Sequence, residues 1–198
     1  MRLSAWLLLA AAGVFAQDKP AGRAPTADPY VQEVKNTSYV AARGERVLRH
    51  EALVPAPPSE VWSVFASAEG ISTWSAPTIA FDLKTGGRWH ANYKVGSKPG
   101  DPGTIYNTVL SYVPQEMLSM KVGLTETFPA GPRQAGTLFA VTQLFPAAGG
   151  QTRVTTSMLG WGEGTDWDQV YAFFDRGNRY TLGQLVRRFR EGPRDWTR

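Results

Sequence analysis

A long apolar stripe near the C terminus constrains the fold of this chain more than any other feature of its sequence. Its members recur at the i, i+3, i+4 and i+7 spacing of an amphipathic helix. They are Trp167, Val170, Tyr171, Phe174, Thr181, Leu182, Leu185, Val186 and Phe189. The spacing predicts one helix over residues 166–190. Such a helix must cover another large element, because its apolar face is otherwise left in water.

The stripe is interrupted at its centre by Gly177 and Asn178. A helix face that packs on a core usually carries Leu or Ile at such positions. Two interpretations remain open. In the first, Gly177 allows close packing against a strand, and the amide of Asn178 finds a hydrogen-bond partner inside the protein. In the second, the two residues leave room for a ligand, and the helix is the floor of its cavity.

Residues 1–16 have the pattern of a secretory signal peptide. Met1 and Arg2 form a short positive region, residues 3–15 are mostly apolar, and Ala16 ends a small-residue cleavage site. The apolar run is shorter than a membrane span requires. We therefore predict cleavage after Ala16 and a periplasmic or secreted protein, with a retained membrane anchor as the alternative. The chain has no cysteine, so a hydrophobic core rather than disulfides must stabilise it.

Composition sets the predicted domain boundaries. Residues 17–43 are rich in proline and polar side chains, which is typical of a flexible tether; an edge strand over residues 30–40 is the weaker alternative. One folded domain over residues 44–192 and a short tail over residues 193–198 follow.

The net charge of +4 comes mostly from arginines near the C terminus, which complement the helix dipole. Nucleic-acid binding would need basic residues interleaved with exposed aromatics, so we expect no such partner.

The remainder of the chain alternates strand patterns with turn residues. The predicted strands cover residues 45–54, 78–83, 88–95, 104–113, 117–124, 136–145 and 151–159. Two short helices follow the first strand, with Ser59 as the N-cap of the first and Gly70 between the two. The order predicts an α+β fold in which a curved antiparallel sheet of about six or seven strands wraps around the long C-terminal helix. The gap between sheet and helix is either filled by aromatic side chains or left as a pocket.

Several short motifs occur in this order along the chain. They are residues 58–62 (Pro-Ser-Glu-Val-Trp), Trp74, residues 86–89 (Gly-Gly-Arg-Trp), Gly160-Trp161 and the run from Phe174 through Gly177-Asn178 to Leu185. Together they resemble the SRPBCC or START-like superfamily, whose fold is called helix-grip. The resemblance covers residues 45–191 and is strongest to the branch related to activators of the Hsp90-type chaperone ATPase and to polyketide cyclases.

Members of this superfamily include lipid carriers, hormone receptors, aromatases, cyclases and chaperone cofactors. The resemblance therefore implies a fold and not one activity. The predicted export argues against a chaperone-cofactor role, because an exported protein meets no ATP-driven cytosolic chaperone.

The sequence carries no motif for metal, nucleotide or nucleophilic chemistry, since HExxH, CxxC and GxSxG are all missing. It has two histidines, which excludes a three-histidine metal site. Alternation along residues 88–94 turns Trp89 and Tyr93 toward the helix and His90 outward. If a bulge reverses this phase, His90 becomes the only credible general base, and Tyr93 or Tyr106 would also handle protons.

The acidic residues give no support for a paired-carboxylate mechanism, because no two share a strand face or helix face at close spacing. Asp175 and Arg179 are four residues apart, and we predict an exposed ion pair on the outer face of the helix. Alternation along residues 151–159 turns Thr156 and Met158 toward the helix.

These observations favour an exported protein that binds a small hydrophobic or aromatic molecule between the sheet and the C-terminal helix. The predicted ligand-binding residues are Trp74, Trp89, Tyr93, Met158, Trp161, Tyr171, Phe174, Gly177 and Asn178. Aromatic rings would supply contact area, and the Asn178 amide would orient a polar group of the ligand.

Two alternatives remain open. One is a cyclase- or aromatase-like enzyme that uses the same pocket, with catalysis by His90, Tyr93 or Tyr106. The other is a protein-interaction domain whose core is filled. A binding protein is favoured over an enzyme, and we expect no cofactor, no metal and no stable membrane insertion after signal cleavage. The sequence does not identify a protein partner.

Overall fold

The structure is a computed structural model that describes residues 28–197. The strands are β1 (Lys35–Asn36), β2 (Tyr39–Val40), β3 (Arg46–Val54), β4 (Thr78–Phe81), β5 (Arg88–Asn92), β6 (Ile105–Val113), β7 (Met117–Lys121), β8 (Phe139–Ala147) and β9 (Gln151–Leu159). The helices are α1 (Pro29–Gln32), α2 (Pro58–Ser63), α3 (Ala68–Ser72), α4 (Ala130–Ala135) and α5 (Thr165–Glu191), and a 3-10 turn covers Ala148–Gly150. The predicted signal peptide, residues 1–16, lies outside the described residues.

All nine strands belong to one antiparallel sheet. Its order is β1-β3-β9-β8-β7-β6-β5-β4, and β2 also pairs with β3. Strands β4 to β9 follow one another as a meander, while β3 closes the order by pairing with β9. The seven predicted strands correspond to β3 through β9, and the α+β, helix-grip prediction is confirmed. The two additional strands are short and come from the segment before β3.

The long helix α5 forms where the apolar stripe predicted it and packs on β3. Gly164 is its N-cap, and Asp166 and Asp168 lie in the first turn, where carboxylates interact favourably with the helix dipole. Arg188 and Arg190 lie in the last turn, where positive charge has the same effect. Among residues 28–197, no helix combines the length and apolar character needed to cross a lipid bilayer.

The apolar core is divided into two clusters. The large cluster lies between α2, α3, the C-terminal half of α5 and the sheet; its members include Ala52, Val54, Trp62, Phe65, Trp74, Val109, Leu118, Leu144, Val154, Leu182, Leu185 and Val186. The small cluster lies under the N-terminal half of α5. It contains Leu48, Val122, Leu138, Ala140, Met158 and Val170, with Leu124, Phe128, Trp161, Trp167, Tyr171 and Phe174 packed against them.

Within the predicted flexible tether over residues 17–43, residues 29–40 form ordered elements, and β1 and β2 agree with the alternative of an edge strand over residues 30–40. Helix α1 packs on α5, where Gly183 leaves room for it: a Cβ at Gly183 would lie 3.0 Å from the backbone nitrogen of Val31. Both terminal guanidinium nitrogens of Arg190 donate to the carboxylate of Glu33, at 2.6 and 2.7 Å. Strands β1 and β2 then pair with β3 along the edge opposite to β9. Composition favoured a tether over this alternative because the contacts that order the segment are to distant parts of the chain.

Two local predictions are wrong at the level of single residues. Helix α2 begins at Pro58, with Pro57 as its N-cap, so Ser59 is already inside the helix and makes no capping bond. The missing amide hydrogen of a proline costs nothing in the first turn, which explains this start. Gly70 lies within α3 rather than between helices, and its amide donates to the hydroxyl of the N-cap Ser67 at 3.0 Å.

Candidate functional site

A row of three polar side chains crosses the inner face of the sheet, the face that packs on α5. His50 on β3 lies opposite Thr156 on β9, and Thr156 lies opposite Thr142 on β8. Directly opposed residues of antiparallel strands point to the same face, and the hydroxyl oxygens of Thr142 and Thr156 are 3.2 Å apart. We call these three residues the polar row.

The polar row separates the two apolar clusters. Two positions away along β3, Leu48 lies opposite Met158 in the small cluster. Two positions away in the other direction, Ala52 lies opposite Val154 in the large cluster. His50 therefore stands in an otherwise apolar series of inward positions, at the boundary between the two clusters.

His50 pairs with Asp175 of α5 inside the protein. The His50 side chain is 0% exposed, and its Nε2 lies 2.9 Å from Oδ1 of Asp175. Because an ionised carboxylate only accepts hydrogen bonds, Nε2 of His50 is the donor and carries the proton. Burial lowers the pKa of His50, and this effect is larger than the opposing effect of the Asp175 hydrogen bond. The ring is therefore neutral near pH 7, and Nδ1 is a free acceptor; it has no partner among residues 28–197.

Two further residues hold the Asp175 carboxylate. The amide nitrogen of Asn36, on β1, donates to the same Oδ1 at 2.8 Å. Arg179 lies close enough for its positive charge to lower the pKa of His50 further. The predicted exposed ion pair between Asp175 and Arg179 is wrong, because Asp175 points toward His50 and β1. Its side chain is half-buried, with 33% exposed.

The sequence-based prediction named only His90 as a possible base and did not consider His50. The signal for His50 was present in the alternation of Leu48, His50, Ala52 and Val54, which places one histidine on an apolar strand face. Its partner Asp175 could not be predicted, because the pair depends on how α5 lies over β3.

Gly177 and Asn178 lie in the same turn of α5 as Asp175. A Cβ built on Gly177 meets no atom within 4 Å, so free space lies beside this position. The amide nitrogen of Asn178 donates to the sulfur of Met158 at 3.2 Å. A thioether is a weak acceptor, so the Asn178 amide keeps most of its capacity to bind a better one. Of the two interpretations of the interrupted stripe, close packing at Gly177 is wrong.

An aromatic group adjoins the space at Gly177. Phe173 lies one helical turn before Gly177 and is 39% exposed. Its ring packs edge-to-face on Phe128 with a centroid distance of 4.9 Å, and Phe128 stacks on Phe174 at 6.0 Å. The sequence-based prediction included Phe174 but missed Phe173 and Phe128. Phe173 falls outside the apolar stripe, and Phe128 lies in a loop, so periodicity gives no signal for either.

The structure separates the predicted ligand-binding residues into different groups. Trp74 belongs to the large cluster, where its indole nitrogen donates to the carbonyl of Val64 at 3.1 Å and its ring packs on Phe65. Met158, Trp161, Tyr171 and Phe174 meet in the small cluster.

Trp161 and Tyr171 pack together in the small cluster with a centroid distance of 4.9 Å. Trp89 is half-buried on β5, opposite Asn107 of β6. It shares no cluster with Trp74 or with Trp161, so the predicted lining residues do not surround one common space.

The weak catalytic candidates lie away from the polar row. His90 is opposite Tyr106 in the β5–β6 pair, the two rings are 4.7 Å apart, and Tyr106 is 52% exposed. Both therefore share the outer face of the sheet, and burial followed by the charge of Arg88 lowers the pKa of His90. Tyr93 is 37% exposed overall. Burial raises the pKa of Tyr93, and Tyr180 adds to the effect, while a hydrogen bond with Ser75 opposes it.

Two surface depressions of about 360 Å³ each lie at the small-cluster end of the molecule. One is lined by Gly44, Glu45, Arg46, Gly160, Trp161, Gly162, Glu163, Gly164 and Asp168. The other is lined by Lys121, Val122, Gly123, Leu124, Pro132, Arg133, Gln134, Gly136 and Leu138. In the first, Arg46 is already paired with Asp168 at 2.7 Å, so its charge is not available to bind an anion.

The part of the chain that the structure describes contains no group of three or more His, Cys, Asp or Glu side chains placed to hold a metal ion. The polar row and its surroundings supply a histidine with a carboxylate partner, hydroxyl and amide groups, and aromatic surface.

Comparison with known proteins relates the chain to one family. Residues 55–190 match the family model described as "Activator of Hsp90 ATPase homolog 1-like protein". The solution structure of the Aha1 dimer from Colwellia psychrerythraea is similar over 74% of this chain and 97% of its own, with a TM-score of 0.58 and 16% identity.

Two further solved structures share the fold. CalU16 from Micromonospora echinospora is similar over 82% of this chain and 86% of its own, with a TM-score of 0.55 and 19% identity. Protein MLL2253 from Mesorhizobium loti is similar over 72% of this chain and 98% of its own, with a TM-score of 0.54 and 21% identity. No curated protein sequence matches significantly. At these identities the structural likeness establishes the fold.

Proposed function

This chain belongs to the activator of Hsp90 ATPase homolog 1-like family, and from that premise we propose that it binds a small apolar or aromatic molecule between the sheet and α5. The observation that carries the proposal is the free space beside Gly177, at the middle of the long helix. Gly177 is half-buried, so room for a side chain or a ligand group is available on this face of α5.

The surroundings of this space favour an aromatic or apolar ligand. Phe173 offers a partly exposed ring face one turn away, and Phe128 and Phe174 hold that ring in place from behind. Offset or edge contacts with such rings stabilise an aromatic ligand beyond simple burial. An exposed phenylalanine on a helix is otherwise unfavourable in water.

The polar groups near the space would orient the ligand. Asn178 follows Gly177 directly, and its amide nitrogen donates to the Met158 sulfur. A carbonyl or hydroxyl oxygen of a ligand is a much better acceptor than sulfur, so the Asn178 amide is positioned to exchange partners on binding. Met158 is flexible and adapts to the shape of a ligand more readily than a β-branched residue does.

Titration with a neutral fluorescent probe tests the proposal. N-phenyl-1-naphthylamine becomes fluorescent in apolar sites, and we expect saturable binding to the wild-type protein. Gly177→Leu fills the space and should abolish most of this signal. Ala172→Leu is the matched control, because it adds the same side chain at an exposed position of the same helix. The proposal is wrong if the wild type shows no saturable signal, or if Gly177→Leu binds the probe as the wild type does.

We further propose that the protein acts outside the cytoplasm, in the periplasm or after secretion. The support is the pattern of residues 1–16, in which a positive start, an apolar run and a small-residue cleavage site follow one another. A protein without cysteine depends on its packed core in that compartment, and the two apolar clusters supply such a core.

A further inference from the structure

The second surface depression carries positive charge and no negative charge. It lies between α4 and the end of β7, and both Lys121 and Arg133 line it, whereas no Asp or Glu does. Glu126 is the one acidic residue of the segment that joins β7 to β8, and it lies outside this lining. We call the space lined by Lys121 and Arg133 the basic depression. A cleft with charges of one sign and apolar walls concentrates the electric field and attracts the opposite charge.

Arg133 is held in place and still keeps free hydrogen-bond donors. Its Nε donates to the carbonyl oxygen of Phe128 at 3.0 Å. The Phe128 ring packs on Phe173 at 4.9 Å and on Phe174 at 6.0 Å, so the residue that orients the guanidinium is itself fixed. Within residues 28–197, neither terminal nitrogen of Arg133 has a hydrogen-bond or ion-pair partner. These two nitrogens form the fork that binds a carboxylate through two parallel hydrogen bonds.

Lys121 supplies the second positive charge. It is the last residue of β7 and is exposed. A Cβ built on Gly136 would lie 3.8 Å from the Lys121 Nζ, and Gly136 also lines the basic depression, so the ammonium group is at its rim. In the described part of the chain, the Lys121 ammonium forms no hydrogen bond or ion pair. Both positive charges are therefore available to an anionic group from solution.

The floor of the basic depression is apolar. Val122 and Leu138 belong to the small cluster and are buried, Leu124 packs against them, and Pro132 of α4 is buried as well. A hydrated inorganic anion gains nothing from such walls, whereas an apolar group is stabilised by leaving water against them. A cavity of about 150 Å³ is enough to hold benzene. The basic depression, at about 360 Å³, therefore has room for a larger ring system.

We propose that the basic depression binds a small organic carboxylate. The carboxylate group pairs with the guanidinium of Arg133 and the ammonium of Lys121, and the apolar body of the ligand lies over Val122, Leu124 and Leu138. This site goes beyond the proposed function, because Gly177 is not among the residues that line the basic depression. The two sites can therefore be tested separately.

Three compounds separate the contributions of charge and apolar surface. 2-Naphthoate carries both, 2-naphthamide keeps the ring without the charge, and acetate keeps the charge without the ring. In ¹H–¹⁵N NMR titrations we expect 2-naphthoate to bind with a Kd of about 1 mM, as a ligand with this number of atoms commonly does. It should shift the backbone amides of Gly123, Leu124 and Gly136. The other two compounds should bind about tenfold more weakly or less.

Substitution of each positive charge tests the assigned residues. Lys121→Gln and Arg133→Gln should each raise the Kd of 2-naphthoate about fivefold to tenfold, because each removes one charge-assisted contact. Lys94→Gln and Arg43→Gln are the matched controls, since they remove the same charges at exposed positions outside the basic depression. Both controls should leave the Kd unchanged.

The wild-type titrations decide the question even without the variants. The assignment is overturned if 2-naphthoate does not bind, if 2-naphthamide or acetate binds as tightly, or if the shifted amides lie elsewhere. It is also overturned if Lys121→Gln and Arg133→Gln weaken binding no more than their controls do. N-phenyl-1-naphthylamine should not compete with 2-naphthoate, and competition would place 2-naphthoate at the Gly177 space instead. Failure of N-phenyl-1-naphthylamine to bind refutes the proposed function and leaves the basic depression untouched.

Discussion

Gly177 and Gly183 lie in the same helix, but an added side chain should have opposite effects at the two positions. It should stabilise the protein at Gly177 and meet backbone atoms at Gly183. Alanine is favoured over glycine in a helix by about 0.8–1 kcal/mol. At Gly177 the added Cβ meets no atom within 4 Å. The free energy of unfolding of Gly177→Ala should therefore rise by the whole of this difference. At Gly183 the Cβ would lie 3.0 Å from the nitrogen of Val31 and 3.1 Å from the carbonyl carbon of Tyr30. Both are backbone atoms of α1, which must move to admit the methyl group.

Gly177→Leu extends the test to a larger side chain. Leucine keeps most of the helix gain and adds an i,i+4 contact with Phe173, which contributes about 0.2–0.5 kcal/mol. We expect an increase in the free energy of unfolding of about 1–1.5 kcal/mol. For a domain of this size the melting temperature should rise by roughly 2–6 °C.

Thermal and urea unfolding of the wild type, Gly177→Ala, Gly177→Leu and Gly183→Ala measure these differences directly. The free energy of unfolding of Gly183→Ala should be lower than that of Gly177→Ala, because the cost of displacing α1 offsets the gain in helix propensity. If Gly177→Leu instead loses about 1–3 kcal/mol, the side chain overpacks its surroundings. The space beside Gly177 is then too small for a ligand, and the reasoning behind the binding site is refuted.

Two further predictions concern pH and export. Because burial lowers the pKa of His50, the unfolded chain binds a proton at this residue before the folded protein does. His50 should therefore contribute stability above its ordinary pKa of about 6.5, and the contribution should be lost as the pH falls below that value. His50→Gln, which retains His90, should show a smaller loss of stability between pH 7 and pH 5, and equal losses would contradict this assignment. The exported protein should begin at Gln17 when its N terminus is sequenced, and an intact Met1 would rule out signal cleavage.

The long elements of the fold could be predicted from the sequence because each has a strong local pattern. The apolar stripe determines α5, and strands β3 to β9 are marked by alternation between turn residues. The segment over residues 29–40 gave only a weak signal, in which an edge strand was the alternative to a flexible tether. Strands β1 and β2 each contain two residues, and α1 is four residues long. These elements are stable because of contacts with α5 and β3, which no local pattern in residues 29–40 encodes.

The candidate site could be predicted in part. Gly177 and Asn178 stand out in the sequence because they interrupt a regular stripe, and the structure leaves space at the first of them. The pairing of His50 with Asp175 depends on the register of β3 with β9 and on the rotation of α5 about its axis. Both are set by packing between segments far apart in the chain, so alternation predicts that His50 points inward but not what it meets there.

The pairing of β3 with β9 has a consequence for the order of events during synthesis. Glu51 and Arg153, which bridge these strands, are 102 positions apart in the chain. On its β9 edge, β3 therefore has no partner until the chain between the two strands has been synthesised, whereas β1 and β2 pair with its other edge. Until then β3 exposes an apolar face and unpaired backbone groups, and both favour association with other chains. A chain with this topology therefore benefits when β3 is kept from other chains until β9 has been made.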